Sequence, residues 1–109
     1  MAIKRVNKTF TGDGSSAVFR ADPEFQHGGT VKVGFTLSGT WNSVTATLQK
    51  CDSAVSPLSY VAVTSAAYTA NASGTWELAV GETYRVTVSG SGSPIPSVTF
   101  RAVGYLLSP

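Results

Sequence analysis

A chain of 109 residues with 42% hydrophobic residues fits one domain with one core; two cores of half that size would each be marginal. Only 13% of the residues are charged and the net charge is +2, too little to argue for the basic face that displaces duplex phosphate counterions, so no nucleic-acid partner is expected. A single cysteine, Cys51, excludes an intramolecular disulfide and fits a reducing compartment.

Residues 1–10 open the chain with Lys4, Arg5 and Lys8 among Ile3, Val6 and Phe10, a spacing that matches neither a strand nor a helix. No apolar stretch follows the first charges as in a secretory leader, so synthesis in the cytoplasm is expected. The segment is expected to be a terminal arm that adds to a neighbouring subunit or lies along a partner, with an edge strand of its own domain as the alternative. On the arm reading its contact residues are Ile3, Lys4, Arg5, Val6, Lys8 and Phe10.

Residues 11–109 read as one all-β domain. A short strand is expected over Ala17 to Ala21. Val31, Val33, Phe35 and Leu37 then alternate with Lys32, Gly34 and Thr36, and Val44, Ala46 and Leu48 with Thr45, Thr47 and Gln49. That period of two marks strands with one buried face. Ser38 to Ser43 between them has the small polar residues of a hairpin connection. A short strand is expected over Tyr60 to Val63, and Trp76, Leu78 and Val80 lead through Gly81-Glu82 into Tyr84, Val86 and Val88, a second expected hairpin. Ser89 to Pro94 is loop-like, and Val98, Phe100 and Ala102 form the last strand. Seven or eight such strands predict an antiparallel β-sandwich, either jelly-roll or immunoglobulin-like. Hydrophobic alternation does not reveal strand order. No apolar run is long enough for a membrane helix.

Chemistry-bearing residues are few. His27 beside Gly28-Gly29 has no Asp, Glu or Cys at a spacing that builds a metal site or orients an imidazole. Asp13, Asp22, Glu24, Asp52, Glu77 and Glu82 single out no pair of the kind a hydrolase needs, and Cys51 has only one histidine in the chain to pair with. No catalytic residue, cofactor or metal is therefore expected. Trp41 and Trp76 offer either a platform for sugar rings or large rings for the core. Arg85 and Arg101 fall at outward positions and are candidate contacts for an acidic partner.

Gly39-Thr40-Trp41, the Thr-rich Val44-Thr45-Ala46-Thr47-Leu48-Gln49 and Gly81-Glu82-Thr83-Tyr84-Arg85-Val86 resemble small structural proteins of tailed-bacteriophage virions, as does Phe10-Thr11-Gly12-Asp13-Gly14-Ser15-Ser16. The resemblance covers about half the chain and consists of strand and turn patterns that transfer no functional residue. It implies a non-enzymatic decoration, or cement, protein on the capsid surface of the virion, bound to the major capsid protein and homo-oligomeric, with a trimer favoured. The alternative is a receptor- or carbohydrate-binding module or adaptor of a tail fibre or baseplate, using Trp41 or Trp76.

Overall fold

In a computed structural model, residues 4–16, 18–22, 28–51, 59–90 and 96–107 are described, with backbone alone for Lys4, Thr64 and Leu107. Ile3, Ala17, Glu24, His27, Asp52 and residues 91–95 lie outside the described residues. The strands are β1 (Lys4–Phe10), β2 (Gly14–Ser15), β3 (Phe19–Ala21), β4 (Thr30–Thr40), β5 (Thr45–Cys51), β6 (Tyr60–Tyr68), β7 (Ala72–Ala79), β8 (Thr83–Ser89), β9 (Ser97–Gly104) and β10 (Leu106–Leu107). All pairings are antiparallel.

They form two sheets, with order β1-β9-β4-β7 in one and β10-β3-β8-β5-β6 in the other, β2 lying beside β8. With the two-residue β2 and β10 set aside, eight strands remain, and the first pairs with the last, the second with the seventh, the third with the sixth and the fourth with the fifth: β1 with β9, β3 with β8, β4 with β7, β5 with β6. That is the pairing of a long eight-stranded hairpin rolled into a sandwich, the jelly roll.

Alternation generates the core. Along β4, Val31, Val33, Phe35 and Leu37 are buried while Lys32, Gly34, Thr36 and Ser38 are exposed; β5, β8 and β9 repeat the pattern. The inward residues of both sheets form one cluster. Through it runs a continuous chain of rings: Tyr68 to Phe35 at 5.3 Å, Phe35 to Trp76 at 4.1 Å and nearly parallel, Trp76 to Phe100 at 5.9 Å, Phe100 to Phe19 at 6.3 Å and Phe19 to Tyr84 at 6.4 Å.

Both expected hairpins are corrected. Val44 N–H donates to Trp41 O across Asn42 and Ser43, which both have positive φ, so a tight turn does form. It carries the chain from β4 in one sheet to β5 in the other. Likewise Glu82 N–H donates to Ala79 O around Gly81 at φ 84°, yet β7 and β8 belong to different sheets. Turn chemistry bends a chain, but whether the next strand lies beside or across the core depends on distant partners. Here β9 and β7 already occupy both sides of β4, and β3 and β5 flank β8.

Of the two readings of residues 1–10, arm or edge strand, the pairing gives the second, which corrects the arm. Residues 4–10 pair with β9 over their whole length, from Lys4 opposite Gly104 to Phe10 opposite Val98, which makes β1 an edge strand. Its alternation was hidden by Lys8, which sits on the inward-facing side of the edge and holds its ammonium 5.9 Å from the Phe10 ring.

Gly39 has φ 138°, and a Cβ there would collide with the backbone carbonyl of Ser97 on β9. Gly34, on the same strand, meets nothing closer than 3.8 Å. We expect Gly39→Ala to lower stability in urea unfolding by about 1–3 kcal/mol or more, and Gly34→Ala to be neutral or slightly stabilising.

Candidate functional site

The two tryptophans serve the fold. Trp76 on β7 is 8% exposed, stacks on Phe35 and donates its indole N–H to the Tyr68 hydroxyl at 3.1 Å. Trp41, half-buried against the core, donates its indole N–H to Asn71 Oδ1 at 2.8 Å, and the same oxygen accepts from Gly39 N–H at 3.0 Å. Asn71 thus ties the β6–β7 connection to the β4–β5 turn. An indole that stacks on a sugar must present a free face, and Trp76 has none to offer.

The residues expected to anchor an arm divide in the same way. Phe10 is buried in the core of its own domain and Val6 packs against that core, so neither is an anchor for another chain. Arg5 and Lys8 are exposed, Lys4 is placed by its backbone alone, and Ile3 is outside the described residues.

The titratable groups are dispersed. Asp13 lies between β1 and β2, Asp22 follows β3, Glu77 is on β7 and Glu82 sits in the β7–β8 turn. Cys51 ends β5, half-buried and opposite Tyr60. Among the described residues, no group of three His, Cys, Asp or Glu side chains is placed to hold a metal ion, and no helix is long and apolar enough to cross a membrane.

The outer face of the β5–β8 region carries a polar network that the sequence reading did not assemble. Gln49 Oε1 accepts from Arg85 Nε at 2.9 Å and from the Thr87 hydroxyl at 2.7 Å. The Thr87 hydroxyl lies 3.2 Å from that of Ser15, and the Arg85 guanidinium sits 3.9 Å above the Tyr60 ring. One sequence signal was available: Gln49 and Arg85 both fall at outward positions, and the register places them directly opposite each other. Arg85 is therefore held flat by its neighbours, with one face of Tyr60 covered.

The other outer face is that of β1, β9, β4 and β7. Arg5 stands opposite Val103, which is 38% exposed, and Val103 stands opposite Gly34, which contributes no side chain. Arg101 lies two residues from Val103 along β9, and Lys32 two residues from Gly34 along β4. Among the described residues, Arg5, Lys32 and Arg101 are exposed and form no ion pair. Around them are Asn7, Thr9, Thr36, Ser38, Ser73 and Thr75, with Glu77 as the carboxylate of this face. Val103 is thus an exposed aliphatic side chain with three cations around it. Arg5 and Arg101 come together here through β1–β9 pairing.

Compared with known protein families, curated proteins and solved structures, the chain matches none.

We expect iodide to quench Trp41→Phe, which retains Trp76 as its tryptophan, far less than Trp76→Phe. Asn71→Ala should cost about 1–2 kcal/mol in unfolding experiments through loss of its two hydrogen bonds, and red-shift Trp41 emission.

Proposed function

We propose that this chain is a non-enzymatic structural protein of a tailed-phage virion, of the decoration type, that binds the outside of the assembled head. The observation that carries the reading is how its conspicuous side chains are used. Both indoles, Tyr68, Tyr84 and Asn71 are spent on internal packing and hydrogen bonds. A partner meets instead a hydroxyl-rich sheet face with Arg5, Lys32 and Arg101 around Val103.

Jelly rolls occur in viral capsid proteins and in lectins. A fold supports such a reading by analogy and does not fix it; the resemblance in the strand and turn motifs favours the capsid side. The lectin-like alternative depends on a free aromatic platform. Trp76 is enclosed, and the guanidinium of Arg85 covers one face of Tyr60.

The partner surface on the head is then an acidic patch of the major capsid protein, and the contact is salt-sensitive because exposed charges are screened beyond about 10 Å at 0.1 M salt. Virions grown from a genome lacking this gene should assemble heads without the 11.3 kDa chain, and added purified protein should sediment with those heads. The double variant Arg5→Glu/Arg101→Glu, folded normally, should bind them at least roughly tenfold more weakly. Wild-type particles that do not contain the chain would refute the assignment; retention on tails and not on heads would transfer it to the fibre or baseplate reading.

A further inference from the structure

A sandwich of two open sheets exposes four strand edges, and an unguarded edge is a template for another strand. Three of the four are guarded here. At β1, Lys4, Arg5 and Lys8 crowd one strand, and Lys8 is on its inward-facing side. β10 is two residues long. β6 is broken by a bulge: Thr47 pairs with Ala67 and Gln49 with Ala62, so residues 63–66 face Leu48 alone, and Ser65 has φ 63°.

The fourth edge, β7, has none of these devices. It keeps unbroken register with β4 from Thr30 opposite Ala79 to Leu37 opposite Ala72, contains no proline, and carries Glu77 as its one charged residue. The bulge in β6 opens a groove of about 480 Å³ along this edge, lined on the β7 side by residues 73–78 and across from it by Val63, Ala66 and Tyr68. Among the described residues no strand pairs with this edge, which leaves it open to an incoming chain.

The polarity of the edge follows from one bond. Val80 N–H donates to Gly29 O, so residues 80, 78, 76 and 74 direct their backbone groups to β4. Ser73, Thr75 and Glu77 direct theirs to the free side. Ala79 belongs to this second set, and its N–H, turned away from β4, is taken by the Tyr84 hydroxyl.

We propose that β7 pairs with β7 of a second copy of this chain, antiparallel and two-fold symmetric about Thr75. Thr75 then faces Thr75 of the other copy, and Ser73 faces Glu77 on both sides of the axis. All three pairs use backbone groups that already point outward, giving roughly six inter-strand hydrogen bonds. The side chains agree with that register: Thr opposite Thr is a favourable cross-strand pair, each Glu77 carboxylate meets a Ser73 hydroxyl, and no like charges stand opposite. Joining at β7 fuses the two four-stranded sheets into one continuous sheet, and the contact closes at two copies, not the three that the resemblance implies. This pairing does not depend on the proposed attachment to a phage head.

Sedimentation velocity of the full chain tests it. Wild-type protein should sediment as a species of twice the 11.3 kDa chain mass. Thr75→Lys, which changes an exposed side chain and sets like charges opposite each other, should give monomer with an unchanged far-ultraviolet spectrum. Ala62→Lys on β6 should remain dimeric. In a Cys51→Ser background, mild oxidation should cross-link Thr75→Cys to itself, because facing residues of a bonded pair have Cα atoms about 5.5 Å apart. Glu77→Cys should not cross-link to itself, since the two copies of residue 77 lie on opposite sides of the axis. A monomeric wild type, a Thr75→Lys variant that stays dimeric, or cross-linking through residue 77 and not 75 would overturn the proposal.

Discussion

Everything in this domain hangs on the chain of rings through its centre. Phe35, Trp76 and Phe100 come from β4, β7 and β9 of one sheet, while Phe19, Tyr84 and Tyr68 come from β3, β8 and β6 of the other. Two sheets packed face to face have no hydrogen bonds between their main chains, so side chains alone set their separation and angle. Each stacked or tilted ring pair adds about 0.5–1.5 kcal/mol to the burial of its surface. Because the chain passes from sheet to sheet, a change in the tilt of one sheet would be felt at Phe100 and Phe19 together.

The same rings explain where the polar side chains fall. A jelly roll sends its chain across the core at most connections, and each crossing breaks a ladder and leaves backbone groups without strand partners. Ser16, the one buried polar residue among those described, mends such a break: its N–H donates to Val86 O while its hydroxyl accepts from Val86 N–H, holding the chain between β2 and β3 against β8. Tyr84 ends the ring chain with its hydroxyl on Ala79 N–H at the start of the β7–β8 turn. Asn71 serves Gly39 and Trp41. Aromatic packing and crossing turns are therefore linked through shared residues.

With so much of the aromatic and amide chemistry turned inward, the outside is made of short hydroxyl side chains and scattered cations. Thr99 bonds Thr9 across β1 and β9, and Thr87 joins Ser15 and Gln49 on the opposite face. Such faces present short polar side chains bonded to one another across neighbouring strands. Low charge density also keeps long-range repulsion between copies small.

Period-two alternation made the strands legible: Val31 to Leu37, Val44 to Leu48, Tyr84 to Val88 and Val98 to Ala102 each bury the residues their spacing nominates, because the pleat forces successive side chains to opposite faces. The β-sandwich follows, since one-sided strands in that number bury their apolar faces in no simpler way. Alternation did not reveal β1, whose pattern is interrupted by Lys8 at the sheet edge, or the continuation of β6 through its bulge to Tyr68. Nor could it show that Ser38 to Ser43 and Gly81-Glu82 cross the core, because a turn's local chemistry is the same whether the next strand pairs beside it or packs across from it. The candidate surface was half visible: Arg101 reads as outward from its own strand, but its neighbourhood with Arg5 and Lys32 joins residues 5, 32 and 101. Sequence determined which side of each strand is wet. Only the pairing of strands distant along the chain decided which wet residues stand together, because neighbours in a jelly roll are chosen by how the long hairpin rolls up, and that closure is a property of the whole core.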